Sequence, residues 1–347
     1  MNENHPFSDP EKVANDLKEF KATDWSGKTL NDVRMDYVRR FQTLPAYLLK
    51  VRAGTILFRA RKNDAEKEET FSHIGQLGPK PSNKTTAFGR ANIPGHSVFY
   101  CSNREETVVR EVTQWYINDE GRAQDLFTKK IFGMGWNANT SMMTISAWRV
   151  TEDLNLALVF GDENRRAQGI QHCAKNRYDL MSGEPEEFNR SRNLIIDFFS
   201  AEFRQLHVSY ESQYLYSALY TFDIMNNAAH TEWKGISLDG IKYPSIANSF
   251  RGENYALSEN AFKNKIKFLG ANYCYTCNNH RHILDVNTSA LIGRIYAAIA
   301  KPDGELIWGP CTDDFDYLAH YEGQVYPFSL EKVPDRFSKK VVTISPF

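Results

Sequence analysis

Residues 88–111 read FGRANIPGHSVFYCSNREETVVRE, and the fold turns on how this stretch divides. Gly95 marks a turn. Ser97-Val98-Phe99-Tyr100, β-branched and aromatic, reads as a short strand. Ser102 then has the chemistry of a helix N-cap, and Glu105, three residues on, completes a capping box. In the helix that follows, Val108, Val112, Trp115 and Tyr116 share one apolar face. Thr107, Glu111 and Trp115 run along its edge at four-residue spacing. Strand, tight turn and helix in succession bring Tyr100 and Glu111 to one mouth. On its own terms Glu111 is an ordinary solvated glutamate, the commoner fate of a charged helix residue.

Two further stretches belong with this one. TILFRAR at 55–61 alternates as a strand, with Thr55, Leu57, Arg59 and Arg61 on one side and Ile56, Phe58 and Ala60 on the other. An arginine on a strand amid apolar residues needs an anion to face, either a structural carboxylate or a ligand phosphate. Guanidinium suits phosphate because it offers paired donors. DGIKYPS at 239–245 reads as a turn into a strand that stops at proline, with Ser245 at the strand's end. Most serines after a proline are turn residues only. Gly89-Arg90-Ala91-Asn92 allows close backbone approach at the glycine, a second cation and an amide. The chain carries no GxGxxG and no phosphate loop, so a dinucleotide here would be held by side chains. Nor is there a GxSxG elbow or a histidine at a recognisable spacing from Ser245, which excludes a Ser/His/Asp hydrolase.

Taken in order, LFRAR, GRAN, the Tyr100–Thr107–Glu111 run and the late Tyr-Pro-Ser resemble the RES domain, over about residues 50–290. That family is named for an arginine, a glutamate and a serine, which here match Arg59, Glu111 and Ser245. Arg90 and Tyr100 match two more positions of its pocket. Asn254, in RGENYAL, which reads as a loop segment, and the pair Tyr210 and Gln213 are similar to further polar positions. The resemblance implies an α+β fold: an ADP-ribosyltransferase-like split, twisted sheet flanked by helices. It also implies an NAD-degrading enzyme, phosphorylase or glycohydrolase, acting as a bacterial toxin or defence effector. NAD is then substrate rather than resident cofactor, with inorganic phosphate a possible co-substrate. Glu111, Arg59 and Tyr100 take the catalytic roles, and Arg90, Ser245, Arg61, Asn92 and Asn254 bind the dinucleotide. An antitoxin or other inhibitor protein is an implied partner. An ADP-ribosyltransferase acting on a protein stays open within the same fold. A non-catalytic interaction module or a zinc-bearing domain stays open outside it.

Composition sets the outer bounds. The 347 residues are 41% hydrophobic and 13% aromatic, enough for a sizeable core. A net charge of −1 gives no global basic field for nucleic acid or an anionic membrane. The first residues, MNENHPFSDPEK, lack the apolar core of a signal peptide, and no run approaches a membrane span. Five cysteines, an odd number, suit a reducing cytoplasm.

The organisation expected is a helical extension over 1–50, a RES domain over 51–290 and a β extension over 291–347. Val13, Leu17 and Phe20 mark one amphipathic helix, and Val33, Tyr37, Phe41 and Leu44 a second. These are a packing extension or a surface for a partner or for homo-oligomer contacts. Residues 62–87 are charged and turn-rich, an exposed loop in which Phe71 is a ligand cover or an anchor. TISAWRV at 144–150 and DLNLALVF at 153–160 read as strands. Leu194, Ile195, Phe198, Phe199, Phe203 and Leu206 line a later helix, and Tyr214, Leu215, Ala218, Leu219 and Phe222 the next. Cys274, Cys277, His280 and His282 have zinc chemistry, but the histidines follow too closely to wrap a tetrahedral site, so no metal is expected. LIGRIYAAIA, ELIWG and KKVVTI suggest C-terminal strands.

Overall fold

The computed structural model describes residues 9–41, 44–63, 70–113, 138–159, 185–205, 211–226, 236–247, 252–279, 290–310, 317–321 and 324–327. Its helices are α1 (Pro10–Ala22), α2 (Leu30–Phe41), α3 (Glu105–Thr113), α4 (Glu186–Phe203), α5 (Leu215–Asn226) and α6 (Glu259–Lys265). The strands are β1 (Tyr47–Val51), β2 (Ile56–Lys62), β3 (Val98–Ser102), β4 (Ala138–Val150), β5 (Leu154–Leu158), β6 (Gly240–Pro244), β7 (Glu253–Ser258), β8 (Ile266–Asn279), β9 (Ala290–Ala300), β10 (Leu306–Pro310), β11 (Tyr317–Tyr321) and β12 (Gln324–Pro327). The fold is a mixed α and β arrangement on one sheet, ordered β1-β5-β6-β7-β3-β2-β4-β8-β9-β11-β12, with β10 also on β9. Only β5 and β6 pair in parallel among the described strands; the other pairs are antiparallel.

The N-terminal helices form for local reasons and stay for tertiary ones. Asp9 caps α1 by accepting from the backbone N–H of Glu11 and of Lys12, both at 3.0 Å, and Pro10 opens the helix. Val13, Leu17 and Phe20 are buried on α1, and Val33, Tyr37 and Phe41 on α2. Phe20 has no exposure and lies 5.0–6.4 Å from the rings of Trp25, Tyr37, Phe41, Phe198 and Tyr216. Arg34 Nε meets the buried Asp223 Oδ1 at 2.7 Å, fastening α2 to α5. Residues 9–41 therefore share one core with α4 and α5. The strand at 47–51 crosses the boundary expected at residue 50 and pairs with β5. At the other end, β9 continues the sheet from β8.

The middle of the sheet is uneven. β2 pairs with β4 at seven positions, Ile56–Lys62 against Arg149–Met143. It pairs with β3 at one, Phe58 with Ser102. β3 is held on its other side by five pairs to β7. Strand alternation sorts the two faces. Phe58, Ala60, Met143, Ile145 and Cys274 pack under Val108, Val109 and Val112 of α3. On the other face Leu57, Phe99, Cys101, Trp148, Tyr255 and Leu257 form a second cluster.

Several expectations need correction. Ser102 does not cap α3. It ends β3, its hydroxyl donates to Glu253 O at 2.6 Å, and it accepts from Arg104 N–H at 3.3 Å. The neighbouring strand's carbonyl outcompetes the helix for that hydroxyl, and Glu105 pairs with Arg294 at 2.7 Å instead of closing a capping box. On α5 the buried face is broader than the five-residue stripe: Tyr216, Tyr220 and Ile224 are core, whereas Phe222 is half-buried against His96. Phe71 is an anchor: its side chain packs on the second cluster and its carbonyl accepts from Trp308 Nε1 at 2.7 Å. β4 begins at Ala138, earlier than the sequence indicated, and the segment at 253–258, expected as a loop, is strand β7, paired on both sides with β3 and β6. Trp115, Tyr116, Leu206, Tyr210 and the KKVVTI strand lie outside the described residues. No helix among the described residues is long and apolar enough to cross a membrane.

Candidate active site

A row of paired residues builds the site. Phe58 faces Ser102, Ser102 faces Asn254, and Asn254 faces Tyr243 across four strands. Directly opposed residues project to the same side, here the side that carries α3. Ser245 follows Tyr243 by two positions, so it stays on that side, and its backbone N–H is tied to Gly252 O at 2.9 Å. Val108 and Val112 bury the inner face of α3, which carries Glu111 along the helix edge to the end of the row.

There Glu111 Oε1 accepts from Ser245 Oγ and from Asn254 Nδ2, each at 2.6 Å. These are short contacts of the kind formed to carboxylate oxygens. Ser245 has no exposure and Asn254 is buried, while Glu111 is half-buried. Both donors converge on one oxygen; Oε2 accepts no hydrogen bond among the described residues. The carboxylate is thus fixed through one oxygen.

A second group surrounds Tyr100. Its phenol accepts from Ala91 N–H at 2.8 Å and donates to Asn92 Oδ1 at 2.9 Å, and Asn92 Nδ2 donates to Ala87 O at 3.0 Å. This pins the turn that presents Arg90. Gly89 is required there, because a Cβ would stand 2.3 Å from Asn92 Oδ1. Burial raises the Tyr100 phenol well above its ordinary range, and the Ala91 N–H and Arg90 oppose that rise only in part. The guanidinium of Arg90 donates to the carbonyls of Phe203 and Gln205 at the end of α4 and lies 5.2 Å over the Tyr214 ring. A cation suits a helix C-terminus. Two of its five donors are used in this way.

Tyr243 lies beside Asn254 in the sheet. The residue is 4% exposed, and its ring lies 5.1 Å from that of Phe203. Its phenol is pushed well above the usual range, first by burial, then by Tyr100 and Glu111, with Arg90 opposing. Nothing in a strand tyrosine announced this from sequence. The available signal was its two-residue spacing from Ser245.

Arg59 and Arg61 stand apart from the carboxylate. Phe58 and Ala60 face α3, so the two arginines project to the other side of β2. Arg59 reaches the β2–β3 seam, where Nη1 donates to Tyr100 O at 2.8 Å and the guanidinium lies 5.2 Å over Phe99. Its Nε is buried without a partner. Burial, and then the charge on Arg61, bring the Arg59 guanidinium down to about 10; burial also lowers Arg61. Neither has a carboxylate partner among the described residues. The structure therefore brings Glu111, Ser245 and Asn254 into contact, ties Tyr100 to Asn92 beside Arg90, and links Arg59 to them through the backbone of β3.

Cys274 is buried in β8, under α3, and Cys277 lies in the same strand. His280 and His282 lie outside the described residues. Among the described residues no group of three or more His, Cys, Asp or Glu could hold a metal ion. Comparison of the chain with models of known protein families and with curated proteins returns no match.

Proposed function

We propose that this chain is an NAD-degrading enzyme of the RES kind, on an ADP-ribosyltransferase-like split sheet, and that it cleaves the bond between nicotinamide and ribose. The observation that carries this reading is the Glu111 carboxylate, held at one oxygen by Ser245 and Asn254, with no described residue donating to the other. The single residue pair between β2 and β3 supports the split-sheet reading.

In the proposed reaction the C–N bond breaks and its electron pair leaves with nicotinamide, which becomes neutral. The ribose passes through an oxocarbenium-like state, as in glycoside chemistry. Glu111 Oε2 faces that developing positive charge and lowers its energy. An oxygen of phosphate or water then bonds to the anomeric carbon; with water, a proton is released to solvent. The unused donors of Arg90 bind the pyrophosphate or the incoming phosphate, while Arg59 bears on the site through its bond to the Tyr100 carbonyl at the β2–β3 seam. Tyr100 acts as a positioning residue, since its hydroxyl is committed to the 89–92 turn. As a toxin or defence effector, such an enzyme needs its activity held in check in its own cell, by an inhibitor protein or by latency until a trigger.

Incubation with NAD, with and without inorganic phosphate, tests this. Phosphorolysis yields ADP-ribose-1″-phosphate, hydrolysis yields ADP-ribose, and transfer yields labelled protein. Absence of nicotinamide release under all conditions sinks the proposal. Glu111→Gln keeps an oxygen for Ser245 and Asn254, so the fold should persist while the rate falls on the order of 10²–10³. Turnover at the parent rate removes Glu111 from the chemistry.

A further inference from the structure

A cavity of about 410 Å³ lies at the end of β3 and β7 remote from Glu111. Val98 and Ser258, a pair in the β3–β7 ladder, both line it. Ser102 and Asn254, which belong to the Glu111 site, are paired at the other end of the same ladder. At about 3.4 Å per residue the two places are roughly 14 Å apart. The volume falls within the range of small-molecule sites, about 300–1,000 Å³.

The lining has two characters. One side is apolar: Ala91, Val98 and Leu238 are core residues, and the Phe222 ring meets the His96 ring edge-on at 4.6 Å. The other side is polar. Glu259 is held by Lys263 Nζ at 2.7 Å and by the Ser82 hydroxyl at 3.2 Å. Asp239 Oδ2 accepts from Asn155 N–H at 2.8 Å and from Lys265 Nζ at 2.9 Å. Ser97 also lines the cavity, is 8% exposed, and its buried Oγ has no hydrogen-bond partner among the described residues. An unpaired buried hydroxyl is unfavourable, and alanine would fill the same position without that cost.

These features select a ligand. Each carboxylate has its own lysine, so the lining leaves no net charge to hold an ion. Carboxylate oxygens only accept, so they suit N–H and O–H donors, and a phosphate here would face two of them. An apolar wall with an aromatic edge suits a planar ring. A base with N–H groups on a hydroxyl-bearing sugar, without phosphate, meets all of these conditions.

We propose that this cavity is a second small-molecule site and that it takes an uncharged nucleoside, with the base against Phe222 and the donors toward Ser97, Asp239 and Glu259. The turn that carries Arg90 forms part of its wall: Ala91 and Asn92 line the cavity and are bonded to the Tyr100 hydroxyl.

Calorimetric titration of the full chain with adenosine, guanosine, cytidine and uridine, each in turn, tests this. At least one binds, and its 5′-monophosphate binds more weakly. Ser97→Ala loses about tenfold in affinity for that nucleoside, the worth of one hydrogen bond, and melts at or above the parent temperature without ligand. Asn226→Trp, at an exposed position on the cavity rim, abolishes binding and melts as the parent does. No binding of any of the four up to about 1 mM overturns the proposal. So does a monophosphate that binds as tightly as its nucleoside, and so does parent-like affinity in both variants, which places the nucleoside elsewhere. A Ser97→Ala protein that melts well below the parent also overturns it, since the hydroxyl would then serve the fold. None of these outcomes bears on the NAD reading, which nicotinamide release tests separately.

Discussion

Arg59 shows how a single side chain can be costly to the fold and useful to the site. It places a guanidinium in the sheet with a second arginine two residues away and, among the described residues, no partner for its Nε and no carboxylate beside it. Burying a charge without a counter-charge is unfavourable, and apolar replacements of similar volume are commonly neutral or stabilising. Arg59→Met is therefore expected to melt at or above the parent temperature without ligand, with a gain of up to about 1 kcal/mol, and to lose stabilisation by NAD. Thermal melts with and without NAD check this; a variant that melts well below the parent without ligand would make Arg59 a structural ion. The residues that meet at Glu111 were legible in sequence as residue types, although Ser245 and Asn254 lie 134 and 143 positions away from it. What sequence could not reveal is the arrangement. That Arg59 projects away from α3 depends on how β2 is packed, and a tyrosine such as Tyr243 reads as plain core until its neighbours are known.

Among the elements, α1 and α2 matter most to stability. Phe20 is the hub where both helices meet α4 and α5, ringed by five aromatic partners. Phe20→Ala is expected to cost about 3–5 kcal/mol, read as a shift in the denaturant midpoint. A loss below about 1 kcal/mol would show that these helices are a loosely held appendage. Their existence was plain from the three- and four-residue spacing of Val13, Leu17 and Phe20, which the structure buries. Their tie to the main core was not, because only tertiary contact decides between a packed helix and a free surface. The start of α3 was misread for a related reason. Ser102 and Glu105 have the right spacing for a capping box, but β7 and Arg294 compete for them.

For the whole molecule, the sheet runs continuously from β1 to β12, joining elements from both termini. β2, β3, β5, β6, β9 and β10 were readable from β-branched and aromatic runs, whereas β1 fell in a stretch read as helical and β7 in one read as loop. Strand order was not readable, since β3 sits between β7 and β2, and β5 beside β6, through pairings that no local pattern encodes. The single backbone pair at the β2–β3 junction has a consequence for how the chain breathes. Regions with few backbone bonds open first. Cys101 lies in β3 at that junction, whereas Cys274 lies in β8, bonded along its length to β4 and β9. Both cysteines are buried, and burial holds the Cys101 thiol well above its ordinary range, unreactive while closed. Under native conditions an alkylating reagent, followed site by site by mass spectrometry, should mark Cys101 before Cys274. Equal rates, or Cys274 leading, would mean that the molecule opens elsewhere.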